Sequence, residues 1–265
     1  MEKHVIWRGV LAGALAGVLA FVWSKIFIEP IVGRAIDFED GTAAAHEAMS
    51  MAHGGHSHGE EGGELFSRGI QSNIGMGLGV LLFSIALGAL FAVVFCVAYG
   101  RLNNLSARTL SVLIAGAMLI SLWIVPSLKY PPSPPATSLD ETITQRALLY
   151  LLMVGLSALL MVAAAYLGHQ LAPKLGAWNA TLAAGAAYIV AIAVVMLILP
   201  TINETPGPLR DDAGNIVFPG FPAVDLYEFR LYGLGTQVVI WATIGLVGAA
   251  SLSRLLDGKR ESVSA

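Results

Sequence analysis

Four of the chain's six histidines fall within residues 41–63, GTAAAHEAMSMAHGGHSHGEEGG, together with two methionines and three glutamates. His46, Met49 and His53 stand at i, i+3 and i+7 in an alanine-rich run, so a short helix over 43–53 would set them on one face. Gly54 and Gly55 stop such a helix, and His56 and His58, two residues apart, then turn back toward the same point beside Glu60 or Glu61. Neutral imidazoles with a thioether and carboxylates suit Co²⁺, Ni²⁺, Zn²⁺ or Cu²⁺, and the affinity order of these ions keeps the ligands alone from naming one. The plainer reading of the same residues is a solvated polar loop.

The elements that must position this tract are hydrocarbon-compatible. With 56% hydrophobic and only 12% charged residues and a mean hydropathy of +0.72, the chain is too apolar for an ordinary globular domain, where about a quarter of residues carry charge. The fold class is all-α: a polytopic membrane bundle of about six transmembrane helices forming one domain over 1–265, with the lipid bilayer as its first partner. The expected spans are 5–28, 74–99, 109–128, 147–168, 178–200 and 232–253. Residues 29–68 form an acidic, His-rich loop and 201–230 a second one. The first span is too long for a signal-peptide core, which runs roughly 7–15 residues, and is read as retained. Gly9, Gly13 and Gly17 form a small-residue stripe, repeated at Gly75 and Gly79, that suits close helix packing within the chain or a homo-oligomer seam. Ser138 with Glu141, and Asp225 with Glu228, have capping-box spacing, and His169, Pro173 and Lys174 mark a turn between the fourth and fifth spans. The lone Cys96 excludes an internal disulfide and any Cys-pair metal motif.

Lysine and arginine set the orientation. If both termini are cytoplasmic, the inner segments hold eight cations (Lys3, Arg8, Arg101, Arg108, Lys174, Arg254, Lys259, Arg260) against six in much longer outer segments, so the His-rich loop faces outward from the cell membrane. Within the spans no Asp or Glu lies mid-helix, and the one lysine, Lys25, is near enough to an end to snorkel. That absence weakens a self-sufficient ion-coupled transporter. The methionines of the spans read as packing and His169 as an interfacial residue. Walker A and H-E-x-x-H patterns are missing from the sequence, and no enzymatic activity and no nucleic-acid partner is expected.

The glycine-striped first helix ending in Glu29-Pro30-Ile31, the His-rich loop, WIVPSLKYPPSPPA (123–136), LPTINETPG (199–207) and FPAVDLYEFRLYGLGTQ (221–237) together resemble the CbtA-type cobalt transporter subunits, in a form like that of actinobacteria. The resemblance implies cobalt uptake beside a small single-span CbtB-type partner and gives the metal-loop role to His46, His53, His56 and His58. Co²⁺ is therefore favoured as the ion. Two readings stay open: a transport component whose loop captures the ion, and a membrane-anchored metal-binding or assembly protein that moves nothing across the bilayer.

Overall fold

The computed structural model describes residues 2–52, 68–101, 105–135, 137, 140–202 and 205–261. Eight α-helices and one short hairpin make up these residues: α1 (Glu2–Phe27), α2 (Glu29–Ala52), α3 (Arg68–Ile70), α4 (Met76–Ala98), α5 (Ala107–Leu119), α6 (Val125–Lys129), α7 (Asp140–Ile198), strands β1 (Leu209–Arg210) and β2 (Ile216–Phe218), and α8 (Ala223–Glu261). A π-helical turn over Gln71–Gly75 joins α3 to α4, and another over Ile120–Ile124 joins α5 to α6. Among the described residues, five continuous helical stretches are long and apolar enough to cross a membrane.

One of the five is a hairpin. A straight helix of 59 residues would reach roughly 90 Å, about three times the hydrocarbon thickness. It breaks at Gly176, whose φ of 76° and ψ of 160° lie where only glycine sits without strain, three residues after Pro173 has removed a backbone donor. The limbs then return on each other: Ser157 Oγ and Tyr188 OH are 2.7 Å apart, and a Cβ on Gly168 would lie 3.3 Å from that of Ala184. The break therefore comes later than the sequence suggested, and His169 stays helical and exposed.

The main core is built by α1, α4, α5 and α8, with Phe91, Phe95, Leu110, Trp241, Ile244 and Leu252 buried at its centre. Helices α1 and α4 run antiparallel at backbone contact. A Cβ on Gly88 would stand 2.3 Å from the Gly9 carbonyl oxygen and 2.8 Å from Gly13 Cα, and one on Gly13 would stand 2.4 Å from the Ser84 oxygen. The stripe of α1 is thus used inside the chain, and it is answered by Gly88 rather than by Gly75 or Gly79, which touch nothing closer than 3.8 Å. Close approach gains van der Waals contact where lipid gives no hydrophobic drive.

The α7 hairpin forms a second, smaller core with Val125, Tyr130, Met153, Tyr188 and Ile192. It joins the main core where α6 and the proline run lie, and that run is fastened at three of its carbonyls. Arg146 donates to the Pro131 oxygen, Arg230 Nε to that of Pro132 at 3.2 Å, and Thr137 Oγ1 to that of Pro134 at 2.7 Å. Tyr130, only 1% exposed, donates its hydroxyl to the Pro200 oxygen at 2.7 Å. A run of prolines offers few N–H groups to these oxygens, so Arg146 of α7, Arg230 of α8 and Thr137 just before α7 supply donors instead. The proposed Ser138 cap lies outside the described residues; α7 has begun by Asp140 and α8 by Ala223, both earlier than their apolar runs.

Candidate metal-capture site

Helix α2 converts the first half of the supposed loop into structure. Pro30 is tolerated because the first turn of a helix has no use for its missing N–H, and Glu29 there complements the helix dipole. Helical backbone from residue 29 to 46 rises about 25 Å, so α2 is an arm that carries His46 far from the end of α1.

Tertiary contacts fix the arm. Arg34 reaches the first turn of α8, with Nη2 2.7 Å and Nε 2.8 Å from Asp225 Oδ1 and Nη2 3.3 Å from Glu228 Oε2. The bond to Asp225 raises the guanidinium further above its already high value. Asp225 and Glu228 therefore act as a clamp for Arg34, a role their capping-box spacing did not reveal. One turn along, Phe38 packs on Phe218 and Phe221, with ring centroids 5.5 and 5.1 Å away. Gly41 leaves room for the Phe218 ring, which would lie 2.6 Å from a Cβ there. Phe218 is presented by the β1–β2 hairpin, whose turn falls at Asp211–Asn215 as the sequence suggested. Asn215 donates from its side chain and its backbone amide to Asp211 and holds that carboxyl below the usual carboxylate range. A depressed carboxylate stabilises the turn fully above the ordinary value and less as pH falls through the folded one.

The far foot of the tract is tied as well. Arg68 Nη2 lies 3.2 Å from Glu29 Oε1, so the chain leaves and re-enters the bundle at one ion pair. Beside it, Lys25 Nζ turns to Ser72 in the π-helical turn, 3.4 Å from its carbonyl oxygen and 3.5 Å from its hydroxyl. Next to Lys25 the buried polar groups are hydroxyls: Ser24 Oγ lies 3.4 Å from Thr236 Oγ1, and Ser121 is buried in the π-helical turn that follows α5. Residues Asp225, Glu228, Tyr232 and Thr236 follow one face of α8 inward at i, i+3, i+7 and i+11.

Of the predicted ligands, α2 carries His46, exposed, and Met49, half-buried, three apart and so neighbours on one face. His53, His56, His58, Glu60 and Glu61 lie outside the described residues. Among the described residues no group of three or more His, Cys, Asp or Glu could hold a metal ion. Sequence reasoning missed Arg34, Phe38 and the carbonyl-binding Arg146 and Arg230. An arginine in a mostly apolar stretch was the one signal, and it does not name a partner.

Comparison with known proteins agrees with this architecture. The family model described as probable cobalt transporter subunit (CbtA) matches residues 2–253. No curated protein and no solved structure matches.

Proposed function

The chain belongs to the CbtA family of probable cobalt transporter subunits, and on that premise we propose that it is the membrane component of a divalent-metal uptake system whose His-rich tract captures the ion before passage. The tract's placement carries the reading: four histidines fall in a segment fastened at both feet to one end of a membrane bundle, by Arg34 with Asp225 and Glu228 and by Arg68 with Glu29. Co²⁺ is the favoured cargo, held transiently by imidazoles of His46, His53, His56 and His58 with Met49, Glu60 or Glu61 completing the set. Ni²⁺, Zn²⁺ and Cu²⁺ share this donor chemistry. The chain's part is non-enzymatic.

In this reading the α7 hairpin supplies two passes, giving six in all, and both termini lie in the cytoplasm. The α2 end then faces out of the cell membrane, in agreement with the lysine and arginine distribution. The candidate ligands belong to the tract outside the bundle, and the buried polar groups next to Lys25, Ser24 and Thr236, are hydroxyls, an order that suits capture followed by release. A weakly liganded interior also fits a subunit that relies on others, such as a single-span CbtB-type chain or a second copy. The alternative, an anchored metal-binding protein without transport, would need the same tract but no flux. Topology is checked with single cysteines in a Cys96→Ala background. A membrane-impermeant maleimide is expected to label Ser50→Cys in intact cells and to spare Ser264→Cys; the reverse pattern would overturn outside capture.

A further inference from the structure

We infer that Arg146 and Arg230 hold a phosphate group at the rim of the bundle, supplied by a phospholipid headgroup or by the free ion. Both side chains are half-buried and both lean on the proline run: Arg146 donates to the Pro131 oxygen, and Arg230 Nε to that of Pro132 at 3.2 Å. Neighbouring carbonyls thus draw two guanidinium groups together, and the charge of Arg146 opposes that of Arg230. A third cation stands at the same rim, Lys129, two residues before Pro131, with Nζ 3.2 Å from Thr201 Oγ1.

The way these charges are left distinguishes them from the other cations at this end. Arg34 is matched by Asp225 and Glu228, and Arg68 by Glu29. Arg230 has no acidic partner among the described residues, because the carboxylates nearest to it along α8 are those already turned to Arg34. Its bond to Pro132 uses Nε and leaves both Nη groups to donate, and a guanidinium fork fits two oxygens of one phosphate. Like charges brought together half out of water repel, and an anion between them turns that repulsion into a shared attraction. Depth agrees with the chemistry. Lys129, Arg146 and Arg230 lie within two residues of the ends of the apolar runs 109–128, 147–168 and 232–253, the level of the headgroup phosphates, where basic pockets between membrane helices recognise lipids. Tyr227, one turn before Arg230 and 64% exposed, and Leu128, beside Lys129 and 71% exposed, offer apolar surface next to the charges.

The test uses the full chain in detergent, with native mass spectrometry measuring what stays bound after equal additions of phosphatidylglycerol and phosphatidylcholine, with and without inorganic phosphate. Phosphatidylglycerol carries its phosphate as a net charge, whereas the choline of the other lipid opposes the arginines. The unaltered chain is expected to retain phosphatidylglycerol in preference. Arg230→Gln, which keeps an N–H for the Pro132 oxygen, and Arg146→Gln should each weaken that retention about tenfold. Arg210→Gln, in the hairpin, should leave it unchanged. Retention that withstands inorganic phosphate assigns the seat to the headgroup; a phosphate adduct that displaces the lipid and is lost in Arg230→Gln assigns it to the free ion. Equal retention of both lipids by the unaltered chain without a phosphate adduct, or binding indifferent to both glutamine replacements, would overturn the proposal.

Discussion

Replacing His53, His56 and His58 together by alanine is expected to remove most Co²⁺ binding from the full chain in nanodiscs, while the bundle still inserts and unfolds at its usual temperature. These residues lie outside the apolar runs of the sequence, and His46 with Met49 alone is too small a set to hold a divalent ion well. Proton competition provides the second readout. Imidazole binds metal only when neutral, and an unperturbed imidazole, with a pKa near 6.5, is roughly one-tenth neutral at pH 5.5 and nine-tenths at pH 7.5. Each histidine ligand therefore weakens binding about tenfold between those values, and two acting together about 100-fold. The direction follows from the ligand form: affinity falls as pH drops, and more than one proton leaves for each ion bound when several histidines act. Isothermal titration at the two pH values measures both. Equal affinity at pH 5.5 and 7.5, or binding that survives the triple replacement, would leave the tract as a solvated polar loop.

The second large effect is expected from Gly88→Leu. Helices α1 and α4 meet at backbone distance, and the first added carbon would already stand 2.3 Å from the Gly9 oxygen, an atom that cannot move without its helix. The whole α1–α4 seam must open, and Ser84, Phe91 and Ala92, all completely buried, would lose their neighbours. Overpacking costs roughly 1–3 kcal/mol where side chains can shift, and a backbone clash belongs at or above the upper end. Unfolding in mixed detergent micelles gives the number, with Gly79→Leu, which meets nothing within 4 Å, as the size-matched comparison. Equal stability of the two variants would contradict the seam.

How far the sequence disclosed this depends on the range of the forces involved. The membrane class, the positions of the long apolar runs, the Asp211–Asn215 turn and the glycine stripe of α1 were all legible, because hydropathy, turn chemistry and small-residue spacing act locally. Helix α2 was legible only in its alanine-rich end. Its first half is held by Arg34 on Asp225, 191 positions away, and by Phe38 on Phe218, and neither pairing leaves a local trace. The partner of the α1 stripe was not legible for the same reason: Gly75 and Gly79 repeat its spacing, but antiparallel register brings Gly88 against it. At the hairpin, Pro173 drew attention to itself, yet the chain turns at Gly176, where positive φ is allowed. The candidate ligands were readable by type. Their mutual geometry was not, since His46 and Met49 alone fall within the described residues.

Uptake of radiolabelled Co²⁺ at limiting concentration, by cells that lack other routes for the metal, bears most directly on the role assigned to this chain. Cells carrying the intact transporter should accumulate the label, and those without this chain should fall to background. Cells with His53, His56 and His58 replaced by alanine should need at least tenfold more Co²⁺ for the same rate. Accumulation unchanged by removing the chain would contradict a transport role and leave a membrane-anchored metal-binding protein.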